Sequence, residues 1–263
     1  MALMLTASPA NAAVNTSNSF EAVPIVNMSN PDLRERIWDH LESEGIARFP
    51  FPPHGRIPNF ANAADAADRL ADTDAWRAAD TLKCNPDAPQ LPVRRQALRD
   101  SKTIYMAVPR LSEAKPFLRI APDEIDDIDD ATTVSGSAKH GVPVDPESMP
   151  AIDLIVAGSV AVDEAGNRVG KGEGYSDLEF AVLRGFDRVA DATTVATTVH
   201  DSQIVSDDAI EPDRHDVPLD LVVTPTRTVE TAAVADRPDG LYWDDLSAEK
   251  ISEIPVLQRL QPE

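Results

Sequence analysis

Residues 152–177 read IDLIVAGSVAVDEAGNRVGKGEGYSD, and the fold turns on this stretch. Ile152–Ala157 is almost continuously apolar, the pattern of a strand covered on both faces. Residues 166–177 follow as Gly166-Asn167-Arg168-Val169-Gly170-Lys171-Gly172-Glu173-Gly174-Tyr175-Ser176-Asp177. A helical pattern then runs through Leu183. Buried strand, glycine-rich turn and helix in that order make one unit of an α/β layer. The alternate glycines 170, 172 and 174 leave backbone N–H groups unhindered by Cβ atoms. Such groups, backed by a helix N-terminus, attract anions. Arg168 and Lys171 add fixed positive charge, and Asp177 stands where a carboxylate could hold Mg²⁺ against the same phosphates. On spacing alone the run reads as a nucleotide-phosphate site or as a glycine-rich surface loop. Generic motifs fit it poorly. A Walker A loop would need Gly at Ala165 and Ser or Thr at Gly172, and a dinucleotide fingerprint would start directly after the strand. Ser159 lacks the flanking glycines of a nucleophile elbow.

Outward from this stretch, short apolar runs alternate with helical patterns. Asn30 and Pro31 open a helix carrying Leu33, Ile37, Trp38 and Leu41 at helical spacing, with Gly45 ending it near Glu44. Residues 49–60 (FPFPPHGRIPNF) are too proline-rich for helix and read as an ordered aromatic loop. Residues 61–79 are alanine-rich and helical. Strands are expected at Thr81–Cys84, Thr103–Val108, Phe117–Ile120, Thr193–Val199 and Leu219–Val223, with a helix near Val93–Arg99. Residues 121–150 read as acidic, polar and partly loop. The expectation is an α/β sandwich with a largely parallel sheet. Residues 241–260 read as a tail with one helix, docked by Tyr242, Trp243, Ile251, Ile254 and Leu257. Residues 1–28 read as a disordered extension or the product of a misplaced start, with Met28 the true start. They lack the positive n-region of a secretory signal. The chain therefore divides into 1–28, a domain over 29–230 and a tail over 231–263.

The 263 residues carry 45 acidic and 24 basic side chains, a net charge of −21. That field repels phosphate backbones and disfavours nucleic-acid binding. No apolar run approaches the ~18 residues of a membrane helix, so the expected location is cytoplasmic. Asp (30) outnumbers Glu (15) and Arg (18) outnumbers Lys (6), a balance read as halophilic, with an ordinary acidic mesophile as the other reading. Molar salt shortens the Debye length to ~3 Å and makes such charge tolerable. Cys84 is the only cysteine, which excludes intramolecular disulfides and cysteine-based clusters. It reads as inert core, and Trp38, Trp76 and Trp243 as packing anchors. The five histidines show no zinc spacing. His200-Asp201 and His215-Asp216 read as loop structure or as groups bearing on catalysis. Asp126, Asp127, Asp129 and Asp130 lack calcium-loop spacing and read as a solvated face.

The run Gly166 to Asp177 resembles the signature of the 5-formyltetrahydrofolate cyclo-ligase family, roughly G-x-R-x-G-x-G-x-G-Y-Y-D. Gln203-Ile204-Val205 and His215-Asp216-Val217-Pro218-Leu219-Asp220, followed by Thr224, resemble later segments of that family in the same order. Arg48-Phe49-Pro50-Phe51-Pro52, Gly55-Arg56-Ile57-Pro58-Asn59-Phe60, Asn85-Pro86-Asp87-Ala88-Pro89-Gln90 and Gly240-Leu241-Tyr242-Trp243 resemble the methenyltetrahydrofolate synthetase domain-containing branch. Some animal members of that branch add an RNA-recognition module; no RNP-like run occurs in this sequence. The resemblance covers roughly residues 30–230. It implies a three-layer α/β sandwich resembling the ribose-phosphate isomerase and CoA-transferase architecture. It further implies an ATP- and Mg²⁺-dependent ligase that converts 5-formyltetrahydrofolate to 5,10-methenyltetrahydrofolate, ADP and phosphate.

The same resemblance assigns roles residue by residue. Arg34, Arg168 and Lys171 would meet the ATP phosphates, and Gly170, Gly172, Glu173 and Gly174 would form the loop around them. Tyr175 would border the folate and nucleotide pockets, and Asp177 would ligate Mg²⁺. Arg168, Lys171 and Tyr175 would carry the catalytic step. Three positions depart from the pattern: Asn30 replaces a lysine, Ser176 replaces the second tyrosine, and residues 87–90 lack a folate-side Glu. Two alternatives follow, a paralogue acting on another heterocycle such as a thiamin-related compound, and a non-catalytic nucleotide-binding protein.

Overall fold

The computed structural model describes residues 29–231 and 236–262. Helix α1 (Asn30–Ser43) precedes a small hairpin, β1 (Ala47–Arg48) and β2 (Asn59–Phe60), and the helices α2 (Ala63–Ala71) and α3 (Asp74–Ala78). Next come β3 (Thr81–Cys84), α4 (Leu91–Arg99), β4 (Thr103–Ala107), β5 (Phe117–Ile120), α5 (Ile128–Ala131), α6 (Val134–His140), β6 (Val142–Val144) and β7 (Leu154–Ala157). A second hairpin, β8 (Ala161–Val162) and β9 (Arg168–Val169), leads into α7 (Tyr175–Gly185). Then follow β10 (Thr194–Thr198), β11 (Leu221–Val223), β12 (Thr228–Glu230), α8 (Ala248–Glu253) and α9 (Pro255–Leu260).

Eight strands form the main sheet in the order β12-β11-β10-β7-β3-β4-β5-β6. The five from β11 to β4 run parallel; β12 at one edge and β5 at the other run against them, and β6 pairs antiparallel with β5. All four residues of β7 are buried, as its apolar sequence requires at the centre of a covered sheet. Strand alternation divides the core in two. Leu82, Cys84, Leu154, Val156 and Ala196 meet Ala67 and Leu70 of α2 and Val93, Ala97 and Leu98 of α4. Ile155, Val195 and Val222 meet Leu178, Val182 and Leu183 of α7 and Val256 and Leu257 of α9. Helix, sheet and helix are the three layers expected.

α1 buries the four residues its spacing predicts, Leu33, Ile37, Trp38 and Leu41. They pack against Val160, Ala161 and Val169 around the β8–β9 hairpin. The helix therefore lies alongside the glycine-rich segment. Ser29 is its N-cap and Asn30 its first residue, one position earlier than expected.

Other boundaries also move. The helical run over 61–79 breaks at Thr73, whose Oγ1 accepts the Trp76 N–H at 3.2 Å and starts α3. The acidic stretch 121–150 holds two short helices and β6. The tail has two helices instead of one, because Pro255 lacks the N–H that would continue α8. Ile254 and Leu257 anchor it as expected, joined by Val256. The reading of residues 1–28 lies outside the described residues.

Cys84 is fully buried, and burial pushes its thiol pKa up to about 12. A reagent that needs thiolate and access finds neither. The native protein is expected to release no thionitrobenzoate from Ellman's reagent until guanidinium chloride unfolds it, then one equivalent. Rapid reaction of the folded protein would contradict this burial.

Candidate functional site

A cleft of about 310 Å³ opens where β3, β4 and β7 end, beside the N-terminus of α7. Ligands of open α/β sheets bind at this carboxyl end of the strands. Three turns build one wall: Asn85-Pro86-Asp87 after β3, Val108-Pro109-Arg110 after β4, and Gly158 after β7. Residues 170–177, apart from Gly172, build the other wall. Ile57, from the aromatic loop, completes the rim.

The glycine-rich segment is set by two supports. The first is the β8–β9 hairpin, which stands between the buried strand and the loop. Gly166 turns this hairpin at φ +95°, where a Cβ would come within 2.6 Å of the Leu219 carbonyl. The second is α1. Arg34 Nε donates to the Gly170 carbonyl at 2.7 Å, and its guanidinium lies behind Gly172, which has φ +103°. Gly174, at φ +70°, is the N-cap of α7 and provides no side-chain cap. The N–H groups of Tyr175, Ser176 and Asp177 thus begin a helix with no partner among the described residues. Together with the N–H groups of the loop they form an uncapped positive helix end facing the cleft. Lys171 Nζ sits 2.8 Å from Glu173 Oε2 at the cleft mouth, both half-exposed.

Arg168 and Asp177 are employed differently from the phosphate and metal contacts expected. Arg168 Nη2 donates to both Asp177 oxygens, at 2.6 and 2.7 Å, and Nη1 donates to the Gly158 carbonyl at 2.9 Å. Asp177 Oδ1 also accepts the Val217 N–H at 3.1 Å. Burial by itself would lower the Arg168 pKa, and the Asp177 charge more than reverses it. In this arrangement Asp177 is a poor fit for a direct Mg²⁺ ligand. No cluster of three or more candidate metal ligands occurs among the described residues. Nucleotide-bound Mg²⁺ needs no such cage, because waters and phosphates fill most of its octahedron. Arg34 also departs from expectation, standing behind the loop rather than lining the cleft. Burial lowers its pKa and the Asp216 charge opposes this.

The floor holds residues that were not singled out in the sequence. Lys83 is fully buried, ion-pairs with Glu179 of α7, and donates to Asn85 Oδ1 at 3.0 Å. Arg94 is buried on α4 and donates to the carbonyls of Asn85 (2.6 Å), Asp87 (3.0 Å), Pro86 (3.2 Å) and Thr132 (2.9 Å). Four carbonyls satisfy its fork and hold the 85–87 turn, while burial lowers its pKa to about 10. Burial raises the Asp87 carboxyl, with Lys171 and Arg94 pulling against it. A lysine inside an apolar strand and an acid one turn after Tyr175 were the available signals.

The remaining sequence candidates have structural work. His200 Nδ1 accepts the Ser202 N–H, and burial lowers its pKa. Asp201 accepts from the Thr224 and Thr226 hydroxyls. Asp216 accepts the Asp213 N–H at 2.8 Å and caps its loop, and burial raises its pKa. Half-exposed His215 lies 3.9 Å from Asp216. Ser159 hydrogen-bonds Thr197 at 2.8 Å.

Comparison with known proteins bears on this cleft. Residues 33–225 match the model of the 5-formyltetrahydrofolate cyclo-ligase family. The chain is 42% identical over 237 residues to a methenyltetrahydrofolate synthase domain-containing protein of Mus musculus, covering 89% of this chain and 63% of the relative. The Homo sapiens protein of that description is 38% identical over 239 residues, covering 90% and 62%. The chain thus spans just over three-fifths of the length of these curated relatives. Among solved structures, the NMR structure of Aquifex aeolicus 5,10-methenyltetrahydrofolate synthetase superposes with a TM-score of 0.51 at 17% identity, covering 80% of this chain and 96% of that one. That likeness is one of fold.

Removing Asp177 would strand the Arg168 charge in a buried site, so Asp177→Ala is expected to cost about 3–5 kcal/mol of folding stability. Urea unfolding measures this; a loss below about 1 kcal/mol, the level of an exposed pair, would mean that the pair does not hold the loop.

Proposed function

The chain belongs to the 5-formyltetrahydrofolate cyclo-ligase family, and from that premise we propose that it is an ATP- and Mg²⁺-dependent cyclo-ligase that uses the cleft at the α7 N-terminus. The observation that carries this reading is the glycine loop. Its N–H groups have no hydrogen-bond partner among the described residues, the α7 end behind it has no side-chain cap, and Lys171 lines the same cavity. This is a receptor for a phosphate chain in a molecule that is otherwise strongly anionic.

In the reaction proposed, the N5-formyl oxygen of 5-formyltetrahydrofolate attacks the γ-phosphorus of ATP and ADP leaves. N10 then adds to the formyl carbon and loses its proton, and phosphate departs with the former formyl oxygen. Phosphoryl transfer asks the protein for position and charge stabilisation more than for acid–base groups. The roles follow from location. Gly170, Gly172 and Gly174 shape the loop, Lys171 meets the phosphate oxygens after leaving Glu173, and Tyr175 borders the ring pocket. Arg34 supports the loop from behind. Arg168 and Asp177 hold the loop to Gly158 and Val217. Glu173, on the loop and paired with Lys171 at 2.8 Å, is the cleft-lining carboxylate that would hold Mg²⁺ once Lys171 turns to the phosphates, and the ion would supply charge neutralisation at the phosphate oxygens.

A second reading, the same chemistry on another heterocycle, is favoured by Ser176, which lines the cleft where the family motif has a second tyrosine.

Purified protein with ATP, Mg²⁺ and 5-formyltetrahydrofolate is expected to generate methenyltetrahydrofolate absorbance near the ultraviolet–visible border. Release of ADP with other heterocycles but not with this folate would transfer the activity to the second reading. No ADP with any of them would overturn both. Lys171→Ala removes a hydrogen bond to a charged group, about 1.5–3 kcal/mol, so KM for ATP should rise at least roughly tenfold. Gly172→Ala forces an L side chain to φ +103° and should weaken ATP binding without unfolding the chain.

A further inference from the structure

The floor of the cleft carries a charge pair that the phosphate chemistry does not use. Lys83 stands in β3 between Leu82 and Cys84, whose side chains face α2 and α4. Alternation turns Lys83 to the opposite side, toward α7. There it meets Glu179, which follows Tyr175 by one helical turn and lines the same cleft. Glu179 is 5% exposed, yet among the described residues its carboxylate contacts only the Lys83 ammonium. An ionised carboxylate has about four acceptor sites, and taking it out of water is costly unless they are filled. Lys83 serves one oxygen. The Asp87 side chain, on the same wall, also accepts no hydrogen bond among the described residues. Apolar surfaces flank these groups: Ile57, Pro86, Val108 and Pro109. A cavity with flat apolar sides and unfilled acceptors at its floor fits a planar ring with an N–H-bearing edge.

We propose that Glu179 is a specificity-determining residue that accepts hydrogen bonds from the donor edge of an amino-substituted nitrogen heterocycle, of the 2-aminopyrimidine type, and that Lys83 is the positioning residue that holds the Glu179 carboxylate in place. The proposal deepens the reading of this cleft as the substrate site and rests on it. The two ends of the cleft then divide the labour. The glycine loop takes the phosphates, and the β3–α7 floor reads the ring.

The test uses the full chain and two small probes, 2,4-diaminopyrimidine and its non-donor isostere 2,4-dimethylpyrimidine, titrated calorimetrically. Wild-type protein is expected to prefer the diamine by roughly tenfold or more, the effect of leaving a buried acceptor unpaired. Glu179→Gln, which keeps one acceptor oxygen and loses the charge, should reduce that preference. Glu179→Gln leaves Lys83 unpaired and could unfold the chain. The double variant Lys83→Met with Glu179→Leu removes both charges, a replacement that buried pairs tolerate, and with no acceptor left at this position should bring the preference to near one. Equal binding of the two probes by wild-type protein, or an unchanged preference in the folded double variant, would overturn the proposal and leave the pair as a clamp between α7 and the sheet. ATP titrated in parallel distinguishes that result from a failure of the phosphate reading, since its affinity reports on the glycine loop and should be the same in all three proteins.

Discussion

The buried Arg168–Asp177 pair is the constraint on which the cleft depends. It ties three pieces of chain that share no strand pairing: the end of the β8–β9 hairpin, the first turn of α7 and the segment at Val217. A planar guanidinium gripping both oxygens of one carboxylate fixes orientation as well as distance. With the third arm on the Gly158 carbonyl, the glycine loop is hung from the end of β7. Among the described residues the loop's own N–H groups have no hydrogen-bond partner, and its shape does not depend on them.

Buried cations recur under this cleft. Arg94 holds the 85–87 turn by its carbonyls, Lys83 joins β3 to α7, and Arg168 anchors the loop. The chain has only 24 basic residues, and these three are spent where water is excluded, each with enough acceptors to make burial tolerable. Long cationic side chains reach several carbonyls at once, so one residue can set a whole turn. The surface, by contrast, is left largely to carboxylates. The cleft itself mixes both signs: the positive helix end, Lys171 and Arg168 face Asp87, Glu173, Asp177 and Glu179 across one concavity.

The main strands and the first helix were legible because their signals are local. The last four residues of IDLIVA, Leu154–Ala157, are buried at both faces of a central strand, and Leu33, Ile37, Trp38 and Leu41 form one helical stripe. The glycine run was legible for a similar reason, since the freedom of Gly172 and Gly174 at positive φ is a property of the residues themselves. Breaks inside elements were less legible. The Thr73 cap and the Pro255 start divide helices whose composition is uniform, and short antiparallel edge strands such as β6 carry little alternation.

By itself the sequence determined the alternation of strands and helices, the buried central strands and the glycine-rich turn before α7, because periodicity and backbone freedom act over a few residues. Partnership was decided only by the tertiary structure. Arg168 and Asp177 look alike as ligand contacts and as a mutual pair until the hairpin brings them together, and Arg34 could not be assigned to the back of the loop before α1 was packed. Lys83 and Glu179, 96 residues apart, acquire a common role only because β3 and α7 are apposed across the sheet. An ion pair or a cavity is a relation between distant segments, and local pattern carries no record of which segments will meet.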